Sequence, residues 1–146
     1  MLSTTCKYGI RAVIFIASKS ESRTNIGLKE ITDQLRIPQP YLAKILQTLV
    51  RKKILHSTKG PHGGFLLAVS AEKLTLMDII DAIDGRNFFD SCYVTGEKCN
   101  FDRPDDGRCI LHNDLREEKV RLEKFFSSKT VDQMVGQVRN DRRIKI

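Results

Sequence analysis

Residues 92–112 read CYVTGEKCNFDRPDDGRCILH and hold three of the chain's four cysteines and one of its three histidines. The spacing is C-x6-C-x9-C-x2-H, and the filler of Gly, Asp, Asn, Pro and Arg shows neither helical nor strand periodicity. Thiolates are soft donors that suit zinc, copper(I) or iron–sulfur clusters. A polar loop can wrap such a centre because the metal bonds replace the core it lacks. Cys92, Cys99, Cys109 and His112 together also make a closed set for structural zinc, and spacing alone favours that metal. Ligation by a histidine needs the neutral imidazole, so such a centre would respond to pH.

The elements around this loop say what it is attached to. Residues 1–70 carry 11 Lys/Arg against 3 Asp/Glu, whereas residues 71–146 carry 14 against 15, so the whole formal excess of +7 comes from the first half. That asymmetry points to a polyanion partner for the first half, most simply nucleic acid. The apolar run at 12–17 is too short for a secretory signal. No stretch approaches the roughly 18 apolar residues that would span a membrane. A cytoplasmic chain is expected, and four cysteines in a reducing compartment indicate metal or redox chemistry before disulfides.

Along the chain, Ser3 or Thr4 caps a first helix to about residue 18, striped by Tyr8, Val13 and Ile16. Cys6 on it is expected to be a small buried residue. Residues 19–27 form a polar turn region. Leu28, Ile31 and Leu35 mark a second helix, stopped by Ile37-Pro38-Gln39-Pro40. Pro40 suits the first position of a third helix, whose Leu42, Ile45, Leu46 and Leu49 face a core. Its other face presents Gln39, Tyr41, Lys44, Gln47, Thr48 and Arg51, the mixture of cations and hydrogen-bonding groups that a major-groove reader needs. Two short helices around a tight break fit a helix-turn-helix. Apolar runs at 54–58 and 65–68 flank Lys59-Gly60-Pro61-His62-Gly63-Gly64, which reads as a β-hairpin. Directly after a recognition helix such a hairpin is a wing. Lys59, His62 and Gly63 at its tip can reach phosphates or a minor groove.

Thr75 caps a fourth helix that buries Leu76, Met77, Ile79, Ile80 and Ile83, turns Asp78, Asp81 and Asp84 outward, and ends at Gly85. After the cysteine loop, Asn113 or Asp114 opens a long charged helix to about residue 127. Its Leu115, Val120, Leu122, Phe125 and Phe126 form an apolar face wide enough to seek a twin. Thr130 caps a last helix to about residue 138, followed by a basic tail at 139–146. The expected fold is mainly α with a small β-hairpin wing: a winged helix-turn-helix plus a long dimerisation helix. It divides into a DNA-binding domain at 1–85, a cysteine-rich loop at 86–112, and a dimerisation helix with C-terminal helix and tail at 113–146. A homodimer of such heads would read an inverted repeat in double-stranded DNA. Nothing indicates an enzyme: there is no phosphate-cradling glycine loop, no H-E-x-x-H and no nucleophile elbow.

These residues resemble a known family. Tyr8-Gly9-Ile10-Arg11-Ala12, Ile37-Pro38-Gln39-Pro40-Tyr41-Leu42, Lys59-Gly60-Pro61-His62-Gly63-Gly64-Phe65-Leu66-Leu67 and the three cysteines are similar to the IscR/NsrR-type bacterial winged-helix transcriptional regulators. The wing pattern G-P-x-G-G-[YF]-x-L is the most specific part. The resemblance covers nearly the whole chain. It implies a homodimeric DNA-binding regulator, a repressor by expectation, whose operator affinity depends on an iron–sulfur cluster. It also implies Cys92, Cys99 and Cys109 as ligands, with His112 fourth as in the IscR branch. Lys7 stands where the other branch has an aspartate ligand, which favours three cysteines, one histidine and a two-iron, two-sulfur cluster. Other expectations are a zinc-stabilised protein or a cluster-free, thiol-responsive DNA-binding or interaction protein.

Overall fold

A computed structural model describes residues 2–19, 25–98 and 110–140. The first helix, α1 (Thr4–Lys19), is the axis of the fold. Ala12, Val13, Ile14, Phe15, Ile16 and Ala17 are all buried, so the second half of this helix is covered on every side instead of along a stripe. It packs against α2 (Leu28–Leu35), α3 (Gln39–Arg51), α4 (Leu76–Ile83), α7 (Val131–Asn140) and the second strand of the hairpin β1 (Leu55–Thr58) and β2 (Gly64–Leu67). The remaining elements are a single turn, α5 (Asn87–Asp90), and the long α6 (His112–Ser128).

The helix-turn-helix forms as its sequence dictates. Arg36 closes α2 in the left-handed region (φ 54°) and its N–H reaches Thr32 O at 2.8 Å. The guanidinium of Arg11 caps the same helix end through Leu35 O at 2.9 Å. Pro38 takes the N-cap position of α3, so Pro40 is the second helical residue, not the first as expected. Either place leaves its missing N–H without cost. Leu42, Ile45, Leu46 and Leu49 are at most 2% exposed, and the apolar stripe faces the core as its spacing predicts.

Strands β1 and β2 pair antiparallel, Leu55 opposite Leu67 and Thr58 opposite Gly64. Beyond the expected hairpin, Ile26 joins the sheet edge: its N–H donates to Phe65 O at 3.0 Å, and Phe65 N–H donates back at 2.9 Å. Thr75 and Asp78 form a capping box on α4, as the threonine predicts. The link between α6 and α7 is stitched to the entrance of α4, with Leu76 N–H to Lys129 O and Val131 N–H to Leu74 O, both 2.8 Å. Val131 and Val135 thereby enter the same core as α1, and Arg139 donates to Ser18 O at 3.0 Å. Ile83 is half-buried, slightly less covered than expected. Asp84, expected outward, accepts from the Ser3 backbone and hydroxyl. Among the described residues no helix is long and apolar enough to cross a membrane.

Candidate functional site

Basic and hydrogen-bonding side chains converge where α3 meets the hairpin. Lys44, Gln47 and Arg51 are exposed at i, i+3 and i+7, and Gln39 is exposed at the helix start. Thr48 is half-buried; its hydroxyl donates to Lys44 O at 3.1 Å and accepts from Arg51 at 3.1 Å, which steers that guanidinium along the helix. Tyr41 is 38% exposed but turned towards α1, its hydroxyl on Thr5 and its ring edge-on to Tyr8 at 5.8 Å.

On the wing, Lys59 and His62 are exposed and Gly63 N–H closes the turn on Gly60 O at 2.9 Å. A side chain at 63 would collide with the backbone carbonyls of Thr58 and Gly60, so glycine is required for the tip to fold this tightly. Asn25 fastens the tip to the segment before α2 through His62 O at 3.1 Å. Between helix and wing lies a cleft of 620 Å³. Gln47, Arg51, Lys59 and Gly63 line it over a floor that includes Leu28, Val50 and Phe65. The charged rim was legible in the sequence. The contribution of Leu28 was not, because it depends on how α2 approaches the sheet.

At the other end, Cys92 is 6% exposed at the neck of a small turn. Its N–H donates to Glu97 O at 2.8 Å, and Ser91 bridges Lys98. The residues preceding Cys92 and Cys99 are thus neighbours despite the six intervening positions. The Cys92 sulfur accepts from the N–H groups of Val94 at 3.4 Å and Thr95 at 3.5 Å. Backbone donors on sulfur suit a cysteine ligand, because a thiolate is what binds metal. His112 is 7% exposed. It is the first residue of α6, one or two positions earlier than the expected start, so the boundary drawn after 112 falls inside a helix. The loop expected at 86–112 also contains α5. Cys99 and Cys109 lie outside the described residues. Among the described residues, no three His, Cys, Asp or Glu side chains come together as a metal site. Buried, hydrogen-bonded Cys92 and buried His112 are soft and borderline donors that fit an iron–sulfur cluster or zinc.

The family model described as Rrf2, iron-dependent transcriptional regulator, matches residues 2–137. The chain belongs to the Rrf2 family. Rrf2 proteins are transcriptional regulators, not enzymes, and act on DNA. A protein of Aquifex aeolicus classed with HTH-type transcriptional regulators is 30% identical over 136 residues, covering 93% of this chain and 92% of its own. The HTH-type transcriptional regulator IscR of Pectobacterium carotovorum is 26% identical, covering 92% and 79%. In fold, this Rrf2 chain matches CymR, the global cysteine regulator of B. subtilis, with a TM-score of 0.78 at 19% identity, over 94% of this chain and 97% of that one.

One residue at the cysteine end was missed by sequence reasoning. Lys119 of α6 is 5% exposed. Its ammonium donates to Ser91 O at 2.6 Å and Phe89 O at 3.3 Å and lies 4.3 Å from the Tyr93 ring centre. The signal was present: Leu115, Lys119, Leu122 and Phe126 follow i, i+4, i+7, i+11, which places a lysine in the apolar register of the helix.

Proposed function

We propose that this Rrf2 protein is a homodimeric repressor that binds an inverted repeat in double-stranded DNA, under the control of an iron–sulfur cluster held by Cys92, Cys99, Cys109 and His112. The observation that carries the DNA half is the cleft shared by α3 and the wing, rimmed by Gln47, Arg51, Lys59 and Gly63. In this reading Gln39, Lys44, Gln47, Thr48 and Arg51 address the major groove, with Tyr41 holding the helix against α1. Lys59 and His62 take phosphates beside it. The family's description as iron-dependent, the relatedness to IscR and the buried, hydrogen-bonded Cys92 support the cluster half.

Bound, such a cluster supplies a centre whose charge and integrity depend on redox conditions. The chain's own residues relay its state. Cys92 follows α5 after the single residue Ser91, and His112 begins α6. Arg86 ties the region together by pairing with Asp81 of α4, Asp90 of α5 and Glu123 of α6. A change at the ligands thus reaches both the head and the long helix, and with it the spacing of two recognition helices. A coupling of roughly 1–3 kcal/mol suffices for a 5- to 150-fold change in affinity.

Anaerobic purification followed by iron and acid-labile sulfide analysis tests the cofactor. Red-brown protein with both is expected, and colourless protein with one zinc per chain would replace the cluster with a structural metal. Operator binding that is the same in holo protein, apo protein and Cys92→Ala would remove the control step.

A further inference from the structure

A lysine is seldom buried, because desolvating its charge is costly unless hydrogen bonds replace water. Lys119 is 5% exposed, and its position in the apolar register of α6 is one that leucine or methionine would fill at no such cost. Its ammonium contacts Phe89 O and Ser91 O before Cys92 and the Tyr93 ring after it. The contacts therefore bracket Cys92 at positions −3, −1 and +1. Carbonyl oxygens and a ring face are both recognised by a cation.

We propose that Lys119 is the positioning residue for Cys92: its ammonium grips the backbone before the cysteine and the aromatic ring after it, and fastens the ligand turn to α6. The role of Cys92 as a ligand rests on the function proposed above; the grip itself does not. With Lys119 in place, the Cys92 sulfur is held over the N–H groups of Val94 and Thr95 before any metal arrives. Movement of the turn then cannot occur without pulling on α6 at its centre.

The test uses full-length, metal-free protein, with iodoacetamide alkylation followed cysteine by cysteine by peptide mass spectrometry. Lys119→Met keeps the length and apolar bulk but removes the donors. It is expected to raise the alkylation rate of Cys92 roughly tenfold or more, the equivalent of one charge-assisted hydrogen bond. Fully buried Cys6 should stay silent and so reports that the fold is intact. If Cys6 becomes reactive as well, Tyr93→Leu replaces Lys119→Met as the variant; Tyr93 is 50% exposed, and its loss removes the ring's contacts with Lys119 and Phe88. An unchanged Cys92 rate in whichever variant keeps Cys6 silent overturns the proposal. A cobalt(II) titration read at the thiolate-to-metal absorption band provides a second measurement, with affinity expected to fall about tenfold in Lys119→Met. Wild-type protein that binds neither cobalt nor iron would refute the ligand reading of Cys92, while the alkylation rates still decide the grip.

Discussion

His112 and Lys119 stand two turns apart on one face of α6, and they are the two side chains that this helix buries. The helix therefore turns a polar edge to the cysteine end of the chain. Its apolar residues are left partly or largely uncovered: Leu122 and Phe126 pack at the margin of the cluster around Met77, Ile80 and Phe89, whereas Phe125 is 53% exposed.

That uncovered side is where a second copy is expected. Phe125→Glu should weaken the homodimer by about 2 kcal/mol or more, a roughly thirtyfold rise in its dissociation constant. Sedimentation velocity across a concentration series measures this. A variant with the wild-type monomer–dimer balance would place the dimer contact elsewhere.

The cleft rim makes a separate expectation about salt. Lys59→Ala should weaken DNA binding on all sequences and reduce the slope of log K against log salt by about 1, as the loss of one phosphate contact does. Fluorescence anisotropy at several salt concentrations reads both quantities. A rim that does not meet phosphates would leave the slope where it is.

Gly63→Ala tests the wing without changing charge. Its new methyl meets the Thr58 and Gly60 carbonyls, so the tip must open. The expected result is tenfold or greater loss of operator affinity, roughly one lost polar contact, with the helical circular dichroism unchanged. Wild-type affinity would show that the tip takes no part.

Cys6 has a pH signature. Burial, then the charge and hydrogen bond of Asp84, push its thiol from 9.0 up to about 12. The folded state thus holds this proton over a range in which the unfolded chain has released it. Stability from this source is full below pH 9.0 and is lost as pH rises towards 12. The slope is at most about 1.4 kcal/mol per pH unit. Urea titrations of wild type and Cys6→Ala between these limits should converge as pH rises. Curves that stay parallel would contradict the shift. At neutral pH the thiol is protonated and buried, which makes Cys6 a packing residue and a poor redox switch.

Much of the head was legible because its signals are local. The stripe Leu42, Ile45, Leu46, Leu49, the proline-set turn and the glycine-rich tip each express themselves within a few residues. The parts that were not legible depend on distant partners. Ile26 looks like a lone apolar residue in a polar turn until Phe65 pairs with it. Lys119 reads as one more charge in a charged helix, although its register already belonged to the apolar side. His112 reads with the loop because no capping side chain precedes it; Leu111 holds the N-cap position without a side-chain hydrogen bond. At the cysteine end, type and spacing named the donors, but the backbone bonds that hold Cys92 come from a turn with no periodicity to announce it.

The bridge between Ile26 and Phe65 has a consequence for how a signal can be expressed. Two reciprocal backbone bonds and the Asn25 tether join the wing to the chain entering α2. The wing is thereby fixed to the entrance of α2, which packs on α3, and the three form one plate, like the raised pattern on a printing stamp. In the proposed dimer, a distant event would leave the pattern alone and alter where the two stamps land along the duplex.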